Sequence, residues 1–421
     1  MPSNYKRLGD YIQEVNIRNR DLSNIPLLGV SIKKVLMPSI ANIIGTDMST
    51  YKLIQKKQFA YGPVTSRNGD KISIALLEEF DNAMVSQAYT VFEVIDENEL
   101  LPEYLMMWFR RPEFDRYARF MSHGSAREIF SWTEMCETLL PIPSIEKQQE
   151  IVREYNTIQN RIALNNQLIS KLEETAQAIY KQWFVDFEFP HSPLLEGCPQ
   201  DGVAKGYKSS GGKMVWCEEL EKEIPEGWEI VPIKVFCEEM KNGATPSRDN
   251  LEYWNSNDIP WIKTGEVSNN ILLDAEEYIS ELGHKNSSTK LLPINTVLMA
   301  MYGATAGQVA FMKFEATTNQ ACCAMICDTI EKASLLYFHL LSNQKEIANM
   351  AIGGAQPNLS KNIIEELSIV LPNENIFRDF PLKAIIESLE NYTRQNQKLE
   401  ELKDLLLAKM TRVETENALV K

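Results

Sequence analysis

The 421-residue sequence contains no apolar run approaching the ~18 residues that a membrane-spanning helix needs. Its opening segment, MPSNYKRLGD, lacks the apolar stretch of a secretory signal, so a cytoplasmic location is expected. The seven cysteines are odd in number and irregularly spaced, as suits free thiols in a reducing compartment. Histidines are scarce: His123, His191, His284 and His339 show no metal-ligand spacing. Cys322, Cys323 and Cys327 form no CxxC pair, so no metal is expected. GATAGQ (303–308) lacks the Gly-Lys-Ser/Thr ending of a phosphate loop and reads as a tight turn beside strands. No GxGxxG precedes a helix, and neither an amino-methyltransferase tetrapeptide nor a nuclease carboxylate cluster is present. These absences predict a chain that is no enzyme by itself and holds no cofactor of its own.

Positive charge is also in short supply. The formal net charge is −15, which argues against unspecialised nucleic-acid binding, because phosphate contacts need Lys and Arg. No segment is a basic tail. Residues 1–143 carry 16 basic and 18 acidic side chains, and residues 228–372 carry 10 and 17. Any nucleic-acid contact must come from a local patch, and the isolated chain should bind weakly. Apolar content of 44% and charged content of 24% are ordinary for globular domains with full cores.

What the sequence does have is helical periodicity in two long stretches. Residues 1–143 read as mixed α/β. Ser144 then offers an N-cap for a helix over 144–186. Ile151, Tyr155, Ile158, Ile162, Asn165, Ile169, Leu172, Ala176, Ile179 and Trp183 follow alternating steps of four and three, a heptad seam with Asn165 as its one polar member. At 1.5 Å per residue this helix runs ~60 Å. Residues 187–227, rich in Pro and Gly, read as a linker without elements of its own. A second α/β segment spans 228–372 and a second long helix 373–415, leaving a 416–421 tail. Its seam is Ile385, Leu389, Tyr392, Asn396, Leu399, Leu402, Leu406, Met410 and Val413, with one register shift near Leu399–Leu402.

The tetrapeptide KLEE occurs in both helices, at Lys171 and Lys398. Other matches follow in the same order: Gly124 with Gly353, Ala126 with Ala355, Ser131 with Ser360, Glu137 with Glu366, Pro143 with Pro372, and Tyr104 with Tyr337. The chain therefore reads as two tandem copies of an α/β head followed by a long helix. One seamed helix cannot bury its stripe alone, whereas two can pack against each other. The expected fold is α+β: two heads joined by two long antiparallel coiled-coil helices, a pseudo-two-fold tandem repeat in which the helices act as a ruler.

Several phrases resemble the specificity subunit of type I restriction-modification enzymes. These are GSAREIFSWTEMCETLLPIPSIEKQQEIV and AQAIYKQWFVDFEFP, then IPEGWEIVPI after the Gly-rich linker, and in the second half GATPSRDNLEYWNSNDIPWIKTGEV, LMAMYGATAGQVAF, TTNQAC and AQPNLSKNIIEELSIVLP. They cover nearly the whole chain in order. The resemblance implies two target recognition domains, each reading one half of a bipartite, asymmetric double-stranded DNA site. It implies helices that set the spacer and dock two methyltransferase (M) subunits, with restriction (R) subunits joining the full complex. S-adenosylmethionine would reside in the M subunit, and ATP and Mg in the R subunit. A ~60 Å helix limits head separation to about 17 base pairs. Two other readings stay open: the recognition subunit of a related system that cuts on both sides of its site, and a non-catalytic coiled-coil scaffold or acidic DNA mimic.

Candidate DNA contacts follow from polar side chains in turn-rich loops. In the second head these are Thr245, Ser247 and Arg248 of GATPSR; Lys263 and Thr264; Tyr302, Thr305 and Gln308 in the Gly-bounded loop; and Gln356, Asn358 and Lys361 around a helix start suited to phosphate. In the first head they are Lys33, Lys34, Ser66, Arg67, Asn68 and Arg127. Trp254 and Trp261 read as core.

Overall fold

The computed structural model describes residues 5–40, 45–66, 69, 71–124, 127–191, 205–351, 358–377 and 380–412. The chain divides into two compact units: residues up to Ala163 together with those from Lys398 on, and Leu164–Gln397. Each unit holds one head and a stretch of both long helices.

In the first unit, β1 (Tyr5–Arg7) leads into β2 (Ile12–Val15), β3 (Leu27–Val30), β4 (Leu36–Pro38), β5 (Lys52–Gln55), β6 (Phe59–Tyr61), β7 (Ile74–Leu76), β8 (Asn82–Val85) and β9 (Thr90–Val94). One antiparallel sheet has the order β2-β9-β6-β7, and a second has β4-β3-β8-β5 with β3 and β8 parallel. Helices α1 (Pro102–Arg110) and α2 (Pro112–Phe120) follow. Arg111 is extended (ψ 136°), as a residue before proline must be, and this separates the two helices. After α3 (Trp132–Cys136), strand β10 (Leu139–Pro141) returns to pair with β1. The core is aromatic: Phe59 stacks on Phe92 with centroids 4.7 Å apart, and Phe109 meets both edge-on. Each such ring contributes roughly 1.5–3 kcal/mol by burial.

Helix α4 (Ile145–Tyr180) starts where the Ser144 hydroxyl accepts the Lys147 N–H at 3.4 Å, and it ends in a π turn, Lys181–Val185. Gln148, fully buried, ties that start to the head by donating to the Glu99 and Pro143 carbonyls and accepting from Leu101 N–H. The stretch after α4 is not the structureless linker its composition suggests. Its described residues form two antiparallel strand pairs, β11 (Pro190–His191) with β12 (Lys205–Gly206), and β13 (Met214–Cys217) with β14 (Lys222–Pro225). Aromatic stacking overrides the Pro/Gly content here: Phe189 lies 4.9 Å from Trp228 and 4.6 Å from Tyr207, and Phe187 meets Trp228 edge-on.

The second head runs β15 (Glu229–Pro232), α5 (Ile233–Phe236), β16 (Glu239–Asn242), β17 (Ile259–Ile262), β18 (Asn270–Leu272), β19 (Glu277–Ile279), α6 (Glu281–Lys285), β20 (Val297–Ala300), β21 (Val309–Met312), β22 (Thr317–Thr318) and β23 (Cys322–Ile326). Helices α7 (Ile330–Ser342), α8 (Gln344–Asn349) and α9 (Lys361–Glu365), strand β24 (Ser368–Leu371) and the long α10 (Pro381–Lys409) complete it. The sheet orders are β16-β23-β20-β21-β18 and β19-β17-β22, with β15 paired to β24. This repeats most of the first head: β2-β9-β6-β7 corresponds to β16-β23-β20-β21, the parallel pair β3/β8 to β17/β22, and β1/β10 to β15/β24, while β5 in the first head and β18 in the second have no counterpart. Details repeat too. Ser131 and Ser360 are both N-caps, and Phe130 N–H to Pro63 O matches Leu359 N–H to Met301 O, each 2.8 Å.

The two long helices run antiparallel within each unit. Ile151 and Tyr155 share a core with Leu407 and Met410 in the first, and Trp183 and Phe184 meet Phe380 in the second. Along α4, Ile158, Ile162, Asn165 and Ala176 are buried, while Ile169, Leu172, Ile179 and Trp183 are half-buried against the second core. Asn165 donates to Asn396 Oδ1 at 2.9 Å, and Asn396 donates to Asn166 at 2.8 Å. Along α10, Ile385 and Leu389 are buried and Tyr392, Leu399 and Leu406 half-buried. The register shift expected there is absent. Leu402 is 50% exposed, and Lys403, 17% exposed along its side chain, takes the seam place between Leu399 and Leu406. The steps of three and four then continue unbroken to Met410. A long alkyl stem can line a seam while its ammonium reaches out, which apolar patterning alone cannot register. Val413 lies outside the described residues.

Candidate nucleic-acid interface

In each head the loop after the second central strand meets the segment before a short helix. In the first head, Val64 and Ile129 form a β-bridge, Thr65 N–H donates to Glu128 O at 3.0 Å, and the Thr65 and Ser122 hydroxyls are 2.9 Å apart. This brings Ser66 and Arg127, both exposed, onto neighbouring loops. Gly124 makes the approach possible. At φ +140°, a Cβ there would stand 2.1 Å from Arg127 O. Arg67 and Asn68 lie outside the described residues.

The second head repeats the arrangement, with Tyr302 bridged to Asn358. Thr305 donates its hydroxyl to Tyr302 O, and Gln308 N–H to Thr305 O at 2.9 Å, closing the tight turn read from GATAGQ. Tyr302 is 42% exposed. Lys361, in the first turn of α9, is paired with Glu365 at 3.0 Å. Gln356 lies outside the described residues.

A second cluster forms around GATPSR. Gly243 packs so closely on β22 that a Cβ would come within 2.1 Å of Thr318 O. Trp261, 2% exposed, donates to Ala244 O at 2.9 Å, and Trp254 donates to Ser247 O at 3.0 Å. The Arg248 guanidinium lies 3.5 Å from the Trp254 ring centroid and 4.8 Å from that of Trp261. It also binds Glu277 at 2.5 Å. Lys263 bridges Glu276 (2.9 Å) and Glu277 (3.1 Å). The Arg248 hydrogen bond holds the Glu277 carboxyl below its ordinary range, and Glu276 raises the Lys263 ammonium. Glu266 accepts from Lys263 N–H and Glu276 N–H, which fixes both donors' backbones. Thr245 donates to Gln320, and Thr264 to Asn319 at 3.0 Å.

Both cations in this cluster are already neutralised, so it adds little to phosphate attraction. Its rigid, directional donors and acceptors suit base edges, where Arg reads guanine and a carboxylate accepts from cytosine. Asn319 and Gln320 were missed as candidates. The signal was their place in TTNQAC, which matches a family phrase but carries no charge. Lys34, expected among the DNA contacts, is buried instead. It is 5% exposed, with φ +61°, and its ammonium bonds Asp115 at 2.8 Å and the Phe109 carbonyl. It is a structural lysine spent on a buried partner, beside the exposed Lys33. Among the described residues, no group of three or more His, Cys, Asp or Glu side chains could hold a metal ion, and no helix is long and apolar enough to cross a membrane.

The family described as "Type I restriction modification DNA specificity domain" matches residues 23–174 and 225–406, one match per copy of the repeat. Among similar sequences, the type I restriction enzyme HindI specificity subunit of Haemophilus influenzae is 26% identical over 90% of each chain. The MjaIX specificity subunit of Methanocaldococcus jannaschii is 24% identical over 75% of this chain and 70% of the relative. Among solved structures, the type I restriction-modification S subunit from M. genitalium superposes with TM-score 0.54 at 12% identity, covering 98% of this chain and 96% of that one. That likeness establishes the shared fold.

Proposed function

The chain belongs to the type I restriction modification DNA specificity family, and on that premise we propose that it selects the DNA sequence on which a restriction-modification complex acts. It is the sequence-specificity subunit and carries no catalysis itself. Each head reads one half of a bipartite site through its paired loops: Ser66 with Arg127 in the first, Tyr302, Thr305 and Gln308 with Asn358 in the second, and there also the Arg248–Lys263 cluster. The two heads present different side chains on equivalent loops, so the half-sites differ. The α4 and α10 helices set the unread spacer and dock two methyltransferase subunits. Restriction subunits join the larger complex. S-adenosylmethionine is held by the methyltransferase subunit, and ATP and Mg by the restriction subunit. The complex works in the cytoplasm, and its partner subunits supply the cationic surface that a chain of net charge −15 lacks.

The observation that carries this reading is the duplicated sheet order under two separate matches to one DNA-specificity family. The test is to co-express the chain with its methyltransferase subunit and map methylated adenines across a genome. A single two-part motif with a fixed gap is expected. Methylation without a motif, or failure to co-purify with the methyltransferase subunit, would overturn the proposal.

A further inference from the structure

A cavity of about 570 Å3 opens in the first unit between the head and the two long helices. Five cations line it: Lys33, Lys34, Lys71, Arg110 and Lys403. Three carboxylates, Glu78, Asp115 and Asp404, face them, and Glu400 outside the lining pairs with Lys403, so one positive charge stays in excess here in a strongly acidic chain. Asp115 is already committed to Lys34 and to the Ile72 N–H. Lys403 pairs with Glu400 on its own helix. Lys33, Lys71 and Arg110 form no ion pair among the described residues. Burial lowers the Lys34 ammonium below its ordinary value, and the charges of Lys71 and Arg110 add to that lowering.

Arg110 is held in place. It donates to the Tyr155 hydroxyl at 3.1 Å and lies 5.5 Å from that ring's centroid, while Gln159 donates to the same hydroxyl at 2.8 Å. Its other N–H groups are unused among the described residues.

The fold itself does not require this arrangement. At the offset that superposes the two KLEE tetrapeptides, Lys403 corresponds to Ala176, Tyr155 to Leu382 and Gln159 to Ile386. In the second unit those three are fully buried at 0% exposure. One copy fills these three places with buried apolar side chains, and the other sets polar side chains there beside a cationic cavity, even placing a lysine in a heptad seam. A local rule broken in one copy and kept in the other marks a functional site.

We propose that the head–helix cavity of the first unit binds a phosphate group, through charge-assisted hydrogen bonds from Arg110, Lys403, Lys71 and Lys33. The phosphate is either a backbone phosphate of the bound duplex, in which case the proposal rests on the DNA-specificity reading, or part of a soluble phosphate compound. The full chain, complexed with its methyltransferase subunit, is compared with Lys403→Met and Arg110→Gln variants. Lys403→Met puts an apolar residue into the seam, so its melting temperature should stay level or rise, which separates binding from folding. For a backbone phosphate, each variant weakens binding to duplexes of every sequence alike and reduces the slope of log affinity against log salt by about 1. The methylated motif stays the same. For a soluble source, the salt slope is unchanged, and the rise in melting temperature that inorganic phosphate gives the wild type disappears in both variants. If neither the slope nor the phosphate-dependent rise changes, the proposal is wrong. Failure of the DNA-specificity reading would show separately, as methylation without a motif by the wild-type complex.

Discussion

Single side chains divide into those that hold the heads together and those that are free to read. Lys34 and Asp115 belong to the first kind. Removing one member of a buried pair leaves an uncompensated charge, so Asp115→Asn should destabilise the first unit by roughly 3–5 kcal/mol. Replacing both by apolar residues should cost far less, and urea titration of the single and double variants checks this. His339 gives a pH prediction. It is buried and bonded to the Tyr180 hydroxyl at 2.8 Å, and burial lowers its pKa to about 4 from the ordinary 6.5. The unfolded chain takes up a proton that the folded one refuses. The contribution is therefore complete above about pH 6.5 and is lost as the pH falls toward 4, by at most ~3 kcal/mol. His339→Gln should flatten that part of the stability–pH curve relative to wild type. Arg248, gripped by two indoles and Glu277, is on the proposed reading a base contact. Arg248→Lys keeps the charge but loses the planar fork. It should reduce methylation of the full target about tenfold or more, a change of 1–3 kcal/mol, and relax the motif only in the half read by the second head.

At the scale of elements, the register of the helix pair is set by its asparagine layer. Asn165 Oδ1 is buried without a hydrogen-bond partner among the described residues, although its Nδ2 binds Asn396. Such a group costs about 1–3 kcal/mol, and a buried asparagine in a seam is a known device for fixing register. The Asn165→Leu/Asn396→Leu double variant should melt at a higher temperature. It should also broaden the distribution of spacer lengths in the methylated motif, because sliding is no longer penalised. The seam on α4 was readable from spacing alone. On α10 it was not, because Lys403 occupies a seam place with a charged side chain and Leu402 points away from it. The strand pairs after α4 were hidden for a similar reason: stacking of Phe187, Phe189 and Trp228 depends on strands that meet only after folding.

For the whole molecule, the duplicated head-plus-helix unit implies modular reading. Exchanging residues 1–143 for a foreign first head should change one half of the methylated motif and leave the other half unaltered. Inserting four residues near Asn165 should lengthen the gap and preserve both halves. Methylome mapping of each variant reads both outcomes, and a change in both half-motifs after the head exchange would count against independent heads.

The sequence alone determined the repeat, the long seamed helices and the N-cap at Ser144. These depend on residue types at short or periodic spacings, and such spacings survive in a linear string. Tertiary structure decided which polar side chains face outward. Lys33 and Lys34 are adjacent and chemically alike, yet a left-handed backbone turn buries Lys34 against Asp115 and leaves Lys33 at the surface. Arg110, Lys71 and Lys403 are far apart in the chain and meet only because antiparallel helices bring α10 back to the first head. Convergence of charge across such separations follows from chain return, and no local pattern encodes it.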